Sequence, residues 1–198
     1  AQDIVLGASL DNNILCIAEK SVVAMRQIEP QLVQEMVKAG CILVENQQDI
    51  QRLVDLTVLP NGTPNKKFVG KNASVILDAA HIPYNGDPRL IIMRAPKNHP
   101  FAVIEMLMPI LPVVTVDSFD EGLDVCLMLE AGLHHTATMH SLNMERLNRM
   151  ARKMKTSIFV KNGPSYAGLG FSGEGTTTFT IATPTGESTT SARCFARR

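Results

Sequence analysis

Short apolar runs alternate along the chain with segments whose apolar residues recur at helical spacing. In the first half this pattern predicts a strand over residues 20–25, helices over 29–39, 47–58 and 72–80, and a turn-rich loop over 59–67. In the second half it predicts strands over 89–93, 111–116, 136–140 and 156–160, with helices over 118–130 and 142–154. Strands that alternate with helices favour an α/β fold, in which a mainly parallel sheet is flanked by helices.

The helix predicted over 118–130 has a start signal in the spacing Ser118-x-x-Glu121. In such a capping box the serine hydroxyl accepts from the third amide and the glutamate reaches back. Loss of the cap should cost about 1 kcal/mol. From Lys161 onward glycine, serine and threonine dominate, with a strand-like stretch over 177–182. This tail cannot build a core of its own, so we expect it to lie across the domain or on a partner subunit.

Composition narrows the classes of function. The 198 residues suffice for one domain with a hydrophobic core, and the 19 basic residues are balanced by 19 acidic ones. This balance argues against a nucleic-acid surface, which needs a basic excess. Nothing in the sequence resembles a signal peptide or a membrane span. Four cysteines without a C-x-x-C pair favour a reducing, cytoplasmic protein over a disulfide scaffold or a zinc knuckle.

One cysteine lies in a loop suited to chemistry. Cys16 follows a run of small and amide residues and precedes the strand predicted over 20–25. Such a loop can expose a thiol and present N–H groups to a developing oxyanion. Taken alone, however, a free cysteine is more often a buried structural residue. Glu105, ahead of Met-Leu-Met-Pro, is likewise by residue type alone an exposed helix glutamate.

Two other patterns do not predict sites. His134, His135 and His140 cluster in sequence, but neighbours on a strand point to opposite faces and no acidic residue nearby completes a ligand set. No metal site is therefore predicted. Residues 168–173 match G-x-G-x-x-G, yet a strand-like segment follows, whereas a dinucleotide fingerprint opens a helix. We interpret this stretch as a glycine-rich loop near an active cleft.

The chain resembles the CoA-acylating aldehyde dehydrogenases over essentially its whole length. The loop Asp-Asn-Asn-Ile-Leu-Cys16-Ile-Ala-Glu-Lys resembles the nucleophile loop of that family, with Leu10 in place of an expected phenylalanine. Five further segments match in the same order: NKKFVGK (65–71), EMLMPILPVV (105–114), GLHHTATMHS (132–141), FVKNGPSYAG (159–168) and TFTIATPTGE (178–187). The likeness is greatest to the propionaldehyde dehydrogenases of propanediol-utilising microcompartments, followed by the acetaldehyde enzymes of ethanolamine utilisation.

This resemblance implies a function and two site residues. Cys16 is the expected nucleophile, and Glu105 the expected partner of the nicotinamide ribose, since the segment resembles the Glu-x-x-x-Pro element of aldehyde dehydrogenases. The implied reaction converts a short-chain aldehyde, CoA and NAD to acyl-CoA and NADH through a cysteine thioester. Leu10 is expected to reshape the aldehyde pocket and to leave the chemistry at Cys16 unaffected.

The resemblance also implies an organisation. Residues 1–176 are the expected thiol-bearing catalytic domain and residues 177–198 a C-terminal arm that contacts another subunit of a homo-oligomer. In the family the dinucleotide-binding domain lies mostly N-terminal to the nucleophile loop. We therefore expect this chain to be a portion of a longer polypeptide without that domain, to bind NAD weakly and to turn over negligibly by itself. Cytoplasmic localisation within a bacterial microcompartment, with shell or cargo proteins as partners, is implied as well.

Three alternatives remain open at this point. The protein is an acetaldehyde-specific relative, a semialdehyde reductase with the same thiol chemistry but no CoA, or a non-catalytic assembly module in which Cys16 is structural. Rapid, selective alkylation of Cys16 would distinguish a nucleophile from a structural thiol. An assay for acyl-CoA would distinguish the CoA-dependent enzymes from the reductase.

Overall fold

The predicted alternation of strands and helices is present in the computed structural model, which describes residues 1–172, 181 and 196. The helices are α1 (Gln2–Ser9), α2 (Glu29–Lys38), α3 (Gln47–Thr57), α4 (Ala73–Ala79), α5 (Pro100–Val103), α6 (Phe119–Glu130) and α7 (Met144–Met154), with 3-10 helices at Leu10–Asn13 and Ser165–Leu169. The strands are β1 (Val22–Met25), β2 (Cys41–Leu43), β3 (Leu90–Arg94), β4 (Ile110–Val116), β5 (Thr136–Met139) and β6 (Ile158–Lys161).

The larger sheet of the described residues has the order β1-β4-β3-β2, and every pair in it is parallel. Its central strands are apolar on both faces, as expected for a parallel sheet covered on both sides. Leu90 and Ile92 belong to a core cluster with α1 and α2, whereas Ile91 and Met93 belong to a cluster with α3 and α4. This alternation puts helices on both faces, and the predicted α/β class is confirmed.

The pairing of the last strands differs from the simplest expectation. The run β4-α6-β5-α7-β6 does not form one sheet, because β4 pairs with β1 and β3 while β5 pairs with β6 in a separate parallel sheet of two strands. The chain divides into two compact units, Ala1–Val125 and Cys126–Arg198. The predicted boundary between domain 1–176 and arm 177–198, together with the strand predicted over 177–182, lies outside the described residues apart from Ile181.

The predicted start of α6 is present with one change. The Ser118 hydroxyl accepts from the Glu121 N–H at 3.1 Å, while the Glu121 carboxylate accepts at 2.8 Å from the N–H of Asp117, one residue before the serine. The elements that the pattern did not predict are α1, β2, the single-turn α5 and the two 3-10 helices. Among the helices of the described residues, none combines the length and apolar character that crossing a bilayer requires.

Candidate active site

Cys16 is the accessible thiol among the described cysteines. It is exposed, whereas Cys41 is buried and Cys126 is half-buried. Burial raises the pKa of the Cys41 thiol to about 12 and that of Cys126 to about 11, so both remain protonated near neutral pH. Cys194 lies outside the described residues. An electrophile offered in solution therefore meets Cys16 before either of the other two thiols.

The loop that leads to Cys16 has an unusual backbone. Asp11, Asn12 and Asn13 have φ angles of 47°, 54° and 65°, which lie in the left-handed region. Aspartate and asparagine tolerate this region better than other residues with a side chain, because their short polar groups hydrogen-bond locally. The Asp-Asn-Asn sequence thus permits a tight left-handed turn between α1 and the cysteine.

Asn13 fixes the turn from within. Its side chain is buried, and the amide nitrogen Nδ2 donates to the carbonyl oxygens of Ala8 at 2.7 Å and of Glu19 at 2.8 Å. These two bonds join the end of α1 to the residue that follows the cysteine segment. The segment around Cys16 is therefore closed into a loop whose ends are linked through one amide.

A neighbouring turn supports the same loop from outside. The Asn12 amide donates to the Gly70 carbonyl at 3.1 Å and to Asn72 Oδ1 at 2.8 Å. Gly70 has a φ of 67°, and a Cβ placed on it would lie 3.1 Å from the Ile14 side chain. Gly70 belongs to the NKKFVGK segment, so this part of the family likeness includes a glycine that packs against the nucleophile loop.

Glu105 lies shortly after α5 and its side chain is half exposed. The carboxylate oxygen Oε1 is 4.0 Å from the ammonium nitrogen Nζ of Lys20, which is four residues beyond Cys16. The Ser21 hydroxyl also donates to the Ala102 carbonyl of α5 at 3.3 Å. The two predicted site residues are thus carried on adjacent segments that are joined through residues 20 and 21.

Lys20 is the residue that the sequence analysis missed. Burial lowers its pKa from 10.5 to about 8, although the negative charges of Glu105, Cys16 and Glu19 act in the opposite direction. Its interaction with both predicted site residues makes it the common neighbour of the thiol and the carboxylate. Its place in the predicted strand over 20–25 gave no sign of this role, and β1 begins only at Val22.

The arrangement can support thiol chemistry beside a dinucleotide. An exposed thiol can reach a carbonyl substrate, and the thiolate is its nucleophilic form. The Glu105 carboxylate is open to solvent and has two acceptor oxygens, as contacts with two ribose hydroxyls require. The Glu105 carboxylate therefore fits the ribose of a nicotinamide dinucleotide.

The histidines that cluster in sequence are arranged differently from the expectation. His134 and His135 precede β5, so the alternation of a strand does not separate them. The ring atom Nδ1 of His134 is 3.2 Å from the Met154 carbonyl, and that of His135 is 2.6 Å from the Thr136 hydroxyl. Within residues 1–172, 181 and 196, no three His, Cys, Asp or Glu side chains are grouped as a metal site requires.

A separate open cavity of about 340 Å³ lies at the carboxyl ends of β3 and β4. It is lined by Arg94, Lys97, Glu121 and residues 113–116, among others, and neither Cys16 nor Glu105 contributes to it. Arg94 is paired there with the carboxylates of Glu29 and Glu45. The cavity is therefore distinct from the thiol site.

Comparisons with known proteins agree with these observations. The propanal dehydrogenase (CoA-propanoylating) of Citrobacter freundii is 53% identical over 198 residues, which are 100% of this chain and 42% of that relative. A structure of Rhodopseudomonas palustris propionaldehyde dehydrogenase with bound propionyl-CoA superposes with a TM-score of 0.95 at 45% identity, over 99% of this chain and 43% of that one. A second structure of that enzyme contains CoA and an acylated cysteine.

A third neighbour comes from a microcompartment. The propionaldehyde dehydrogenase of the Clostridium phytofermentans fucose utilisation microcompartment superposes with a TM-score of 0.94 at 42% identity, over 98% of this chain and 45% of that one. No protein-family model matches the chain. The chain spans less than half the length of the relatives reported above.

Proposed function

Because the chain belongs to the CoA-acylating aldehyde dehydrogenase family, we propose that it supplies the nucleophile for NAD-dependent conversion of a short-chain aldehyde and CoA to acyl-CoA. The observation that carries the proposal is the accessible Cys16 thiol on a loop joined through Lys20 to Glu105. A purely structural cysteine is more often buried, whereas Cys16 is exposed on a loop that Lys20 links to a solvent-facing carboxylate.

In the proposed reaction the Cys16 thiolate attacks the aldehyde carbon and forms a carbon–sulfur bond. The carbonyl electron pair moves to oxygen, where N–H groups of the loop stabilise the negative charge. Glu105 would hold the ribose hydroxyls of NAD, which would supply the acceptor for the hydride that leaves that carbon. The carbonyl re-forms as a thioester on Cys16.

The second half of the reaction releases the product. The thiolate of CoA attacks the thioester carbon, the bond to Cys16 breaks, and acyl-CoA leaves while Cys16 returns as the thiolate. The proton of the CoA thiol is the one released in the overall reaction. The acylated cysteine in a relative that is 45% identical supports this order of events.

Propionaldehyde is the aldehyde we favour, since the Citrobacter relative is described as CoA-propanoylating. The acetaldehyde-specific enzyme, the semialdehyde reductase and the assembly module remain the alternatives. Discrimination between aldehydes that differ by one methylene amounts to only about 1–3 kcal/mol. A kinetic comparison of acetaldehyde, propionaldehyde and butyraldehyde with CoA and NAD ranks them.

Assembly and localisation are part of the proposal. We infer a homo-oligomer in which residues 177–198 contact another subunit, located in the cytoplasm within a bacterial microcompartment that provides shell or cargo partners. The microcompartment neighbour supports this setting. A native mass measurement that gives a monomer would contradict the oligomer for this chain.

The test of the thiol uses the reverse of the acyl-transfer step, which needs no NAD. Incubation with propionyl-CoA should add one propionyl group to the chain, and peptide mass spectrometry should locate it on Cys16. Cys16→Ala should abolish the adduct, whereas the matched variant Cys126→Ala should retain it. An adduct that persists in Cys16→Ala, or its absence from the unmodified chain, would refute the assignment of Cys16.

A further inference from the structure

Lys20 lies beneath the nucleophile loop with its charged end surrounded by carbonyl oxygens. Nζ donates to Asn13 O at 2.9 Å, to Asn13 Oδ1 at 2.8 Å and to Leu15 O at 3.2 Å. Its side chain is only 23% exposed. An ammonium group has three N–H donors and a neutral amine only two, so this set of acceptors matches the charged form.

The bond to Leu15 determines the direction of the next amide. In a planar trans peptide the C=O and the following N–H point in opposite directions. Because Lys20 binds the Leu15 carbonyl, the N–H of Cys16 points away from the lysine. Within the described residues, no protein acceptor takes a hydrogen bond from this N–H.

We propose that Lys20 is a positioning residue for the reaction at Cys16. Through the Leu15 carbonyl it orients the Leu15–Cys16 peptide and thereby the N–H beside the reacting sulfur, and its charge attracts the thiolate. Its contact with Glu105 keeps the carboxylate segment next to the same loop. This inference rests on the proposed function, since it assigns to Lys20 a part in the acyl chemistry of Cys16.

The charges around Lys20 make the arrangement sensitive to pH. Burial lowers the pKa of Lys20, whereas the acidic groups of Glu105, Cys16 and Glu19 raise it. The net result is a pKa of about 8. Above that pH the amine retains two N–H donors for three carbonyl acceptors, so one of the loop contacts is lost. The rate of acyl transfer to Cys16 should therefore pass through a maximum and fall above about pH 8.

The experiment compares two reactions of the same thiol in the full chain. Transfer from propionyl-CoA needs both the thiolate and an oriented N–H, whereas alkylation by iodoacetamide needs the thiolate alone. Lys20→Met should slow acyl transfer about tenfold or more, as loss of positioning does, and should slow alkylation less. Lys20→Arg keeps the charge and should recover part of the loss in alkylation.

Lys38→Met is the matched control, because Lys38 is an exposed lysine on α2 paired with Glu35. It should leave both rates within about twofold of the unmodified chain. Circular dichroism establishes whether each variant is folded. If Lys20→Met does not fold, the pH profiles of acyl transfer and of alkylation in the unmodified chain still decide, since a positioning role predicts a fall above about pH 8 in acyl transfer and a smaller one in alkylation.

The outcomes separate the two proposals. If the unmodified chain acylates at Cys16 but folded Lys20→Met does so within twofold, or if the rate rises steadily beyond pH 9 without a maximum, the role of Lys20 is refuted and the function stands. If Cys16 is not acylated at all, the proposed function fails instead. Equal losses in acyl transfer and alkylation would also overturn the positioning role, because Lys20 would then act only through the attraction between its charge and the thiolate.

Discussion

Replacement of Asn13 by alanine should destabilise the protein more than replacement of any surface asparagine. The Asn13 side chain is 1% exposed and makes hydrogen bonds at both ends of its amide. Asn13→Ala leaves the Ala8 and Glu19 carbonyls and one N–H of Lys20 without this partner. The loss of a hydrogen bond to a buried group costs about 1–3 kcal/mol, more when the group is charged.

The backbone adds a smaller cost. Residue 13 has a φ of 65°, and alanine tolerates the left-handed region less well than asparagine, by about 1 kcal/mol. Partial relaxation and entry of water reduce the sum, so we expect a loss of about 3–5 kcal/mol in the free energy of unfolding. That is a large share of the roughly 5–15 kcal/mol by which proteins are stable.

Urea unfolding followed by far-UV circular dichroism at pH 7 measures this loss. The slope of the free energy against urea must be compared between variants, because a changed slope would signal a changed cooperativity. Asn61→Ala is the matched control: Asn61 lies in an exposed turn, and its Oδ1 accepts from the Thr63 N–H at 3.1 Å and from the Thr63 hydroxyl at 2.7 Å. It should cost less than about 1 kcal/mol.

The comparison can refute the reasoning directly. A loss below about 1 kcal/mol in Asn13→Ala, or one equal to that in Asn61→Ala, would mean that the buried amide does not hold the loop. Asn13→Asp provides a second test at constant size. Its carboxylate keeps an acceptor for Lys20 but turns an oxygen toward the Ala8 and Glu19 carbonyls, so it should also destabilise.

The other predictions concern three positions around the site. Gly7→Ala should destabilise, although alanine gains about 1 kcal/mol over glycine in a helix, because the new Cβ would overlap the buried Glu19 carboxylate. Thermal unfolding that shows a gain in stability would contradict this. His99 Nδ1 accepts from the Phe101 N–H at 3.2 Å and caps α5, and burial lowers the pKa of His99 from 6.5. The stability from this cap should be fully present above pH 6.5 and be lost as the pH falls through the lowered pKa. His99→Asn should keep a cap of about 1 kcal/mol without this pH dependence. Identical pH profiles of stability in the unmodified chain and in His99→Asn would contradict the role of His99. Glu105→Gln should weaken NAD binding in the complete enzyme. Because the Glu105 charge also raises the pKa of Lys20, the same variant should move the fall in propionylation from propionyl-CoA to lower pH; NAD binding that stays unchanged would remove the ribose assignment.

Local patterns predicted most of the larger elements. The helix predicted over 29–39 is α2, which begins with Glu29 and Pro30 and ends before Gly40, whose φ of 106° requires glycine. The strand predicted over 111–116 is β4, because its residues are apolar on both faces. Such signals lie within the element itself, so the sequence carries them without any tertiary information.

The missed features depend on distant contacts or on short segments. The strand β2 has three residues, which is too few for a period to be visible. The helix α1 contains Gly7, a poor helix former, which is tolerated because Glu19 occupies the space beside it. The role of Lys20 follows from its contact with Glu105, which is 85 positions away in sequence and is brought near only by the fold.

The left-handed turn before Cys16 has a consequence for enzyme engineering. The loop is fixed by backbone carbonyls and by the amides of Asn12 and Asn13, whereas the side chains of Leu10 and Ile14 are 37% and 39% exposed. A library that diversifies these two apolar positions should reshape the surroundings of the sulfur without dismantling the scaffold that presents it. Under the proposed function, such a library tests whether the preference for one aldehyde can change while Cys16 keeps its position.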